Sequence, residues 1–225
     1  MNKIITIGRE FGSGGRELGA RLAGVLGVAY YDGEIVRAIA ERSELAESYV
    51  NQVLEKRIRT YYPITVANTL SAHQGDAVYA VTRSIYTAQT EILREMAEKS
   101  DCVIVGRCAG YILADYHPIR IFVYADMKAR IERCRQRHKE ENNGEDLSDR
   151  ALEKRIREID KERAQYYRFY TGQTWGERIN YDLLVNTTNI PIPKLAELIG
   201  AFRNVQPPSG LLDGVFGGNA GNQNG

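Results

Sequence analysis

Cysteine is scarce in this chain of 225 residues: Cys102, Cys108 and Cys134 are an odd set with no C-x-x-C pair among them. Neither a disulfide framework nor a zinc knuckle fits that spacing, and a reducing cytoplasm is the simpler expectation. Long apolar runs are missing too. Met1 to Phe11 holds only a short apolar stretch before Arg9 and Glu10 interrupt it, and no segment approaches the ~20 apolar residues that span a bilayer. A soluble, unprocessed, cytoplasmic protein without a membrane partner is expected. An excess of one charge is absent as well, since 30 Lys plus Arg face 29 Asp plus Glu for a formal net charge of +1. Domains that hold a nucleic acid polymer by bulk charge carry a clear basic excess, so that class is set aside. His73, His117 and His138 are unclustered and read as packing or surface residues.

What is present is enough for one large domain. Apolar residues make up 43%, which excludes wholesale disorder, and the length allows a substantial core. Lys3 to Gly8 is a β-branched run bounded by glycine and reads as a buried strand. Gly12-Ser-Gly-Gly15 follows, then Leu18, Arg21, Leu22, Val25 and Leu26 at helical spacing with Gly27 as C-cap. Further strands are expected at Val28–Tyr31, Cys102–Gly106, Ile119–Tyr124 and Tyr181–Asn186. Helices are expected from Asp32 onward and over Val78–Ser100, Asp126–Lys139, Ser148–Tyr170 and Pro193–Arg203, with a helical insert across residues 44 to 75. Alternating strands and helices predict a three-layer α/β fold, an open parallel sheet of about five strands whose ligand sits beyond the strands' carboxyl ends. Residues 206–225, rich in Gly and Asn, read as a flexible tail.

A strand, a glycine-rich turn and a helix present backbone N–H groups and a helix N-terminus to an anion. Gly12, Ser13, Gly14 and Gly15 suit phosphate binding, although a tight turn without a ligand is the alternative. The G-x-x-x-x-G-K-[ST] pattern is absent: aligned on Gly14, Gly15 stands at the lysine position and Arg16 at the hydroxyl position. Arg16 or Arg9 could supply the cation, and Ser13 is the nearest hydroxyl for a phosphate or a Mg²⁺ ion. A dinucleotide fingerprint starting at Gly12 fails at Glu17, despite Asp32 at the right distance for a ribose-binding acid.

Two cationic faces follow. Arg130, Arg133 and Arg137 form one stripe of the helix from Asp126, either a solvated face or a row for polyanionic oxygens. Six Lys or Arg and one acid in residues 128–139 precede five acids in 140–149, which suggests a mobile flap. On the next helix Leu152, Ile156, Ile159, Tyr166 and Tyr167 make the inward stripe, and Arg163 falls inside it with Asp160 at its edge. An inward arginine must be paired, here with Asp160, or must line a polar cleft. Trp175 and the Tyr166, Tyr167, Tyr170 group either pack or stack on a base.

With these residues in hand, the chain resembles the P-loop nucleoside monophosphate kinases, and most closely the cytidylate kinase-like family. The carrying segments are Ile5 to Gly19, Leu26 to Gly33 with Arg37, Val103 to Arg107, and Tyr181 to Thr187. The resemblance implies a P-loop kinase topology over residues 1–205, with an acceptor-side insert near 33–75 and a lid near 126–170. It implies ATP-dependent phosphoryl transfer to a nucleoside monophosphate, with CMP or dCMP as acceptor and ATP and Mg²⁺ as cofactors, so small-molecule nucleotides are the expected partners. The loop, with Arg16, matches the donor-phosphate site. Asp32, Arg37, Arg107, Asp160 and Arg163 match acceptor-binding positions, and Arg130, Arg133 and Arg137 match lid arginines that act in catalysis. The chain departs from cytidylate kinase at Gly15-Arg16-Glu17 in place of the loop Lys and Ser/Thr, at Cys108 and at Asn186, the last two in place of aspartates. Those departures keep two alternatives open: a nucleotide-binding sensor or pseudo-kinase without turnover, and a kinase of another small metabolite.

Overall fold

Ile5 and Ile7 point to one face of the first strand and Ile4 and Thr6 to the other, and all four are buried. A strand covered on both faces belongs in the middle of a parallel sheet, and this one does. In the computed structural model, which describes residues 2–43, 47, 50, 72–141 and 147–203, the strands are β1 (Ile4–Arg9), β2 (Ala29–Tyr31), β3 (Cys102–Val105), β4 (Ile119–Tyr124) and β5 (Leu183–Asn186). They form one sheet in the order β2-β3-β1-β4-β5, parallel at every junction. Among the described residues the helices are α1 (Gly15–Leu26), α2 (Gly33–Ser43), α3 (Ala72–Lys99), α4 (Ala109–Ile112), α5 (Met127–Glu141), α6 (Asp149–Thr171) and α7 (Ile192–Arg203). The 206–225 tail, most of the 44–75 insert and part of the acidic run, at 142–146, lie outside the described residues.

Alternation along β1 and β3 divides the core in two. Ile4, Cys102 and Ile104 pack with Ile35 and Ile39 of α2 and Ile85, Ile92 and Leu93 of α3. Ile5, Ile7, Val103 and Val105 pack on the opposite face with Leu18 and Leu22 of α1 and Leu195, Ala196 and Ile199 of α7. These are the three layers that strand–helix alternation predicts. Helix α1 approaches β3 closely because Gly19 has no side chain: a Cβ there would stand 2.7 Å from a Val105 methyl. A third, smaller cluster of Ile131, Leu152 and Ile156, with Phe11 and Cys134 against it, joins α5 to α6 over the glycine loop.

Element boundaries differ from the expectations in ways the backbone explains. Strand β3 stops at Val105 because Gly106 turns left-handed, at φ 82°. Strand β5 begins only at Leu183: a 3₁₀ turn at Arg178–Asn180 precedes it, and the Asp182 carboxylate accepts from the Arg120 N–H and guanidinium. Helix α3 starts earlier than its apolar periodicity indicates, at Ala72. Helix α6 is capped as its ends suggest, with the Ser148 hydroxyl accepting from the Ala151 N–H and Gly172 left-handed at φ 70°.

Ile104 has no solvent exposure and sits in the cluster under α2 and α3. Ile104→Ala is expected to destabilise the protein by about 2–5 kcal/mol through lost burial and an unfilled cavity. Urea unfolding checks this as a lower midpoint at unchanged slope.

Candidate active site

Because β2, β3 and β1 are parallel neighbours, their carboxyl ends open at one edge of the sheet. Arg9 closes β1, Asp32 follows β2, and Arg107 follows β3 by two residues. The three residues line a cleft of about 740 Å³ together with Gly12, Gly14, Gly15, Arg16, Arg37, Arg133, Arg137 and Arg163. Adding Arg155, eight arginines line it among the described residues, against the six acids Glu10, Glu17, Asp32, Glu47, Glu140 and Glu162. Helix α1 begins there too, at a left-handed Gly14 whose end carries no side-chain cap. Its first N–H groups and its dipole thus face the cleft, an arrangement that favours an anion.

The glycines of the loop have packing duties as well. A Cβ on Gly12 would lie 2.9 Å from the Cys134 sulfur of α5, and one on Gly14 would overlap Ile192 of α7. Gly12 and Gly14 are also left-handed, at φ 77° and 81°. Ser13 does not line the cleft. It is fully buried, its hydroxyl donates to the Glu10 carbonyl at 2.9 Å, and its own carbonyl accepts from the Thr187 hydroxyl at 2.6 Å. The hydroxyl expected to meet phosphate or Mg²⁺ therefore closes the loop on itself and on the end of β5.

The three stripe arginines do three different things. Arg130 is buried; it pairs with Glu10 at 3.1 Å and with Asp160, and its Nε donates to the Phe11 carbonyl at 2.8 Å. Asp160 also accepts from the Phe11 N–H at 2.8 Å. Arg130 and Asp160 thereby bind α5 and α6 to the glycine loop, which gives Asp160 a partner other than the neighbouring Arg163 expected from helical spacing. Burial pushes the Glu10 carboxyl up, with Arg130 opposing. Arg133 donates to the Thr187 carbonyl at 2.5 Å and to the Gly12 carbonyl at 3.5 Å, bracing the loop from above. Arg137 lines the cleft one turn further on. Arg135, off the stripe, pairs with Glu132 and Asp149, so part of the basic run is satisfied by nearby acids.

Arg16, the cation nearest in sequence to the missing lysine, reaches sideways. Its side chain is 61% exposed and its Nε lies 2.5 Å from Asp32, which follows β2. Arg9 is the opposite case: mostly buried, with Nη2 3.9 Å from Asp32. Burial first and then Arg163 push the Arg9 guanidinium down to about 9, with Asp32 opposing, so it remains a cation at neutral pH in surroundings that disfavour one. Arg163 donates to the Arg9 carbonyl at 3.3 Å and sits 5.5 Å over the Phe11 ring. Arg37 is exposed and lies 3.4 Å from Glu47.

Arg107 is aimed by an unusual turn. Gly106, Arg107 and Cys108 are all left-handed, at φ 82°, 56° and 54°. Left-handed non-glycine residues cost roughly 1–3 kcal/mol each and cluster at functional sites. Local bonds hold the turn: Ala109 N–H donates to the Gly106 carbonyl at 3.0 Å, and the Gln89 amide donates to the Arg107 carbonyl at 3.1 Å. Gln89 has no exposure and accepts from the Tyr166 hydroxyl at 3.1 Å. The sequence reading missed Gln89; its signal was a single amide on the buried face of α3. It missed Glu10 as well, an acid adjoining the loop. Burial pushes the Cys108 thiol up to about 12, so it is uncharged at neutral pH. Tyr170 stacks on Tyr86 at 4.0 Å and Trp175 meets Phe122 edge-on at 5.3 Å, so these aromatics pack against protein.

This arrangement defines a class: an α/β protein with the fold of the P-loop kinases, its cationic cleft at the carboxyl ends of a 2-3-1-4-5 sheet. The profile of the cytidylate kinase-like family matches residues 4–189, and the chain belongs to that family. Among solved structures, an uncharacterized protein from Eubacterium ventriosum ATCC 27560 is similar at a TM-score of 0.63 and 23% identity, over 91% of this chain and 100% of that one. Shikimate kinase from Bacteroides thetaiotaomicron is similar at a TM-score of 0.53 and 15% identity, over 90% and 99%. No curated protein matches the chain. Family and fold together support a kinase of a nucleotide or another small molecule. No described helix is long and apolar enough to cross a membrane.

The cleft suits the phosphates of a nucleotide by charge and by the bare start of α1. It does not suit a protein-held Mg²⁺ equally well: no cluster of three potential metal ligands occurs among the described residues, and the Ser13 hydroxyl is engaged. Mg²⁺ commonly relies on substrate phosphates and water for most of its ligands.

Arg130→Met is expected to destabilise the protein by about 3 kcal/mol, because Glu10 and Asp160 lose a shared buried partner. Thermal and urea unfolding of the variant measure that loss, and a stability equal to the parent's would show that the triad does not hold α5 and α6 to the glycine loop.

Proposed function

We propose that the protein transfers the γ-phosphoryl group of ATP to a nucleoside monophosphate, with CMP or dCMP the favoured acceptor. The observation that carries this reading is the convergence of Arg9, Asp32 and Arg107 from three adjacent strand ends on one arginine-lined cleft at the start of α1. Phosphoryl transfer asks a protein chiefly to hold two anions in line and to neutralise the charge that develops between them. The start of α1 would take the donor phosphates. Arg107, aimed by its left-handed turn, and Arg163 beside it would grip the acceptor phosphate, with Asp32 and Arg37 on the acceptor side. Arg133 and Arg137 would close from the lid, and Arg130 with Asp160 would hold that lid in place. ATP supplies the transferred group and Mg²⁺ is expected to enter with it.

Cytosine as the acceptor base rests on family membership, because Cys108 offers a neutral thiol where a carboxylate would accept a hydrogen bond from a base amino group. The experiment is to incubate purified protein with Mg·ATP and a panel of nucleoside monophosphates, with shikimate as a non-nucleotide control, and to follow ADP. Turnover greatest with CMP or dCMP is expected. Turnover only with the control would move the protein to another class of kinase, and ATP binding without turnover of any acceptor would make it a nucleotide sensor.

A further inference from the structure

Phosphoryl transfer leaves one role without a residue, that of the fixed cation which a loop lysine provides for the donor phosphates. Arg16 is a poor candidate by position. Its side chain is 61% exposed against 17% for Arg9, and its guanidinium lies closer to Asp32, at 2.5 Å against 3.9 Å.

Arg9 leaves the end of β1 directly beneath the loop. A Cβ on Gly15 would lie 2.5 Å from the Arg9 Cβ and 3.0 Å from its Cγ, and a Cβ on Gly106 would overlap its guanidinium nitrogen. Two glycines, the first residue of α1 and the residue after β3, are thus kept bare by a single side chain. Glycine in a helix and a left-handed turn both carry a backbone cost, and here that cost makes room for the stem and head of one arginine. The side chain as a whole is 17% exposed and lines the cleft, which the loop, Asp32 and Arg107 also line. Arg163 and Arg107 crowd it with like charge and Asp32 is the acid that opposes them. A concentrated positive charge on a guanidinium clamped by packing is an anion site of the preorganised kind.

We propose that Arg9 is the fixed cation of the polyphosphate site, filling the role for which the glycine loop has no lysine. The inference rests on the phosphoryl-transfer reading for its catalytic meaning, but phosphate binding tests it separately. A planar guanidinium can hold two phosphate oxygens at once, which a lysine ammonium does only as a point charge.

The test uses the full chain and two probes, inorganic tripolyphosphate and ATP, titrated by calorimetry into the parent, Arg9→Met, Arg9→Gln and Arg16→Ala. Arg9→Met is expected to weaken tripolyphosphate by about tenfold or more, the effect of losing a charge-assisted hydrogen bond. Arg16→Ala is expected to weaken it by less than about fivefold, as suits an exposed ion-pairing group. If Arg9→Met does not melt cooperatively, Arg9→Gln, which keeps a polar stem without the charge, carries the same comparison. With an acceptor that turns over, Arg9→Met is also expected to lower kcat by about 10²-fold or more. Tripolyphosphate binding as tight in the Arg9 variants as in the parent, a larger loss in Arg16→Ala, or no binding to the parent each overturns the proposal. Absence of turnover in the parent, with tripolyphosphate binding that depends on Arg9, overturns the kinase reading alone and leaves Arg9 in its assigned place.

Discussion

The cleft depends on a buried ion triad. Arg130 of α5 joins Glu10, which follows β1, to Asp160 of α6, and both Arg130 and Asp160 also hold the Phe11 backbone. Through it α5 and α6 are tied to the end of β1 by charge as well as by the small apolar cluster of Ile131, Leu152 and Ile156 with Phe11 against it. Charges taken out of water are costly unless each is paired and hydrogen-bonded, and this triad is satisfied by two carboxylates and a backbone carbonyl. The result is a helix α5 anchored beside the glycine loop, with Arg133 and Arg137 on successive turns beyond Arg130.

Around that anchor the site concentrates charge of one sign at the expense of stability. Arg9, Arg107 and Arg163 approach one another at the carboxyl ends of β1 and β3, and burial lowers the proton affinity of Arg9. The left-handed run from Gly106 to Cys108 adds backbone strain at the same edge. A cleft that served only packing would gain from replacing these features with apolar side chains and regular turns. An anionic ligand bound as proposed would relieve the repulsion and stabilise the folded chain by mass action.

The sheet was legible in the sequence because a parallel strand covered on both faces reads as an apolar run whatever its neighbours. Ile4–Ile7, Cys102–Val105 and Ile121–Val123 are such buried stretches, and all three belong to strands. Helix faces were legible from periodicity, so Leu152 and Ile156 are buried as the stripe of α6 requires. The strand ends could be placed for the same reason, since chain order and parallel pairing bring Arg9, Asp32 and Arg107 to one edge. Ser13 was not legible as a loop-closing residue, because its partner, the Glu10 carbonyl, is created by the turn itself.

Periodicity assigns a side chain to a face and says nothing of what lies across from it. Arg130, Arg133 and Arg137 share a stripe, yet one is buried in an ion triad, one bonds to carbonyls of the loop and the end of β5, and one lines the cleft. The choice between Arg9 and Arg16 has the same character. Both stand near the loop in sequence, but contact with Gly15 and Gly106, 6 and 97 residues away from Arg9, exists only once β1, α1 and β3 have come together. Composition and order of residues thus establish the fold, its family likeness and the abundance of arginine near a glycine loop. Which arginine braces, which pairs and which faces the cleft follows from packing between segments distant in the chain, because a charge is defined by its partners and those partners meet only in the folded protein.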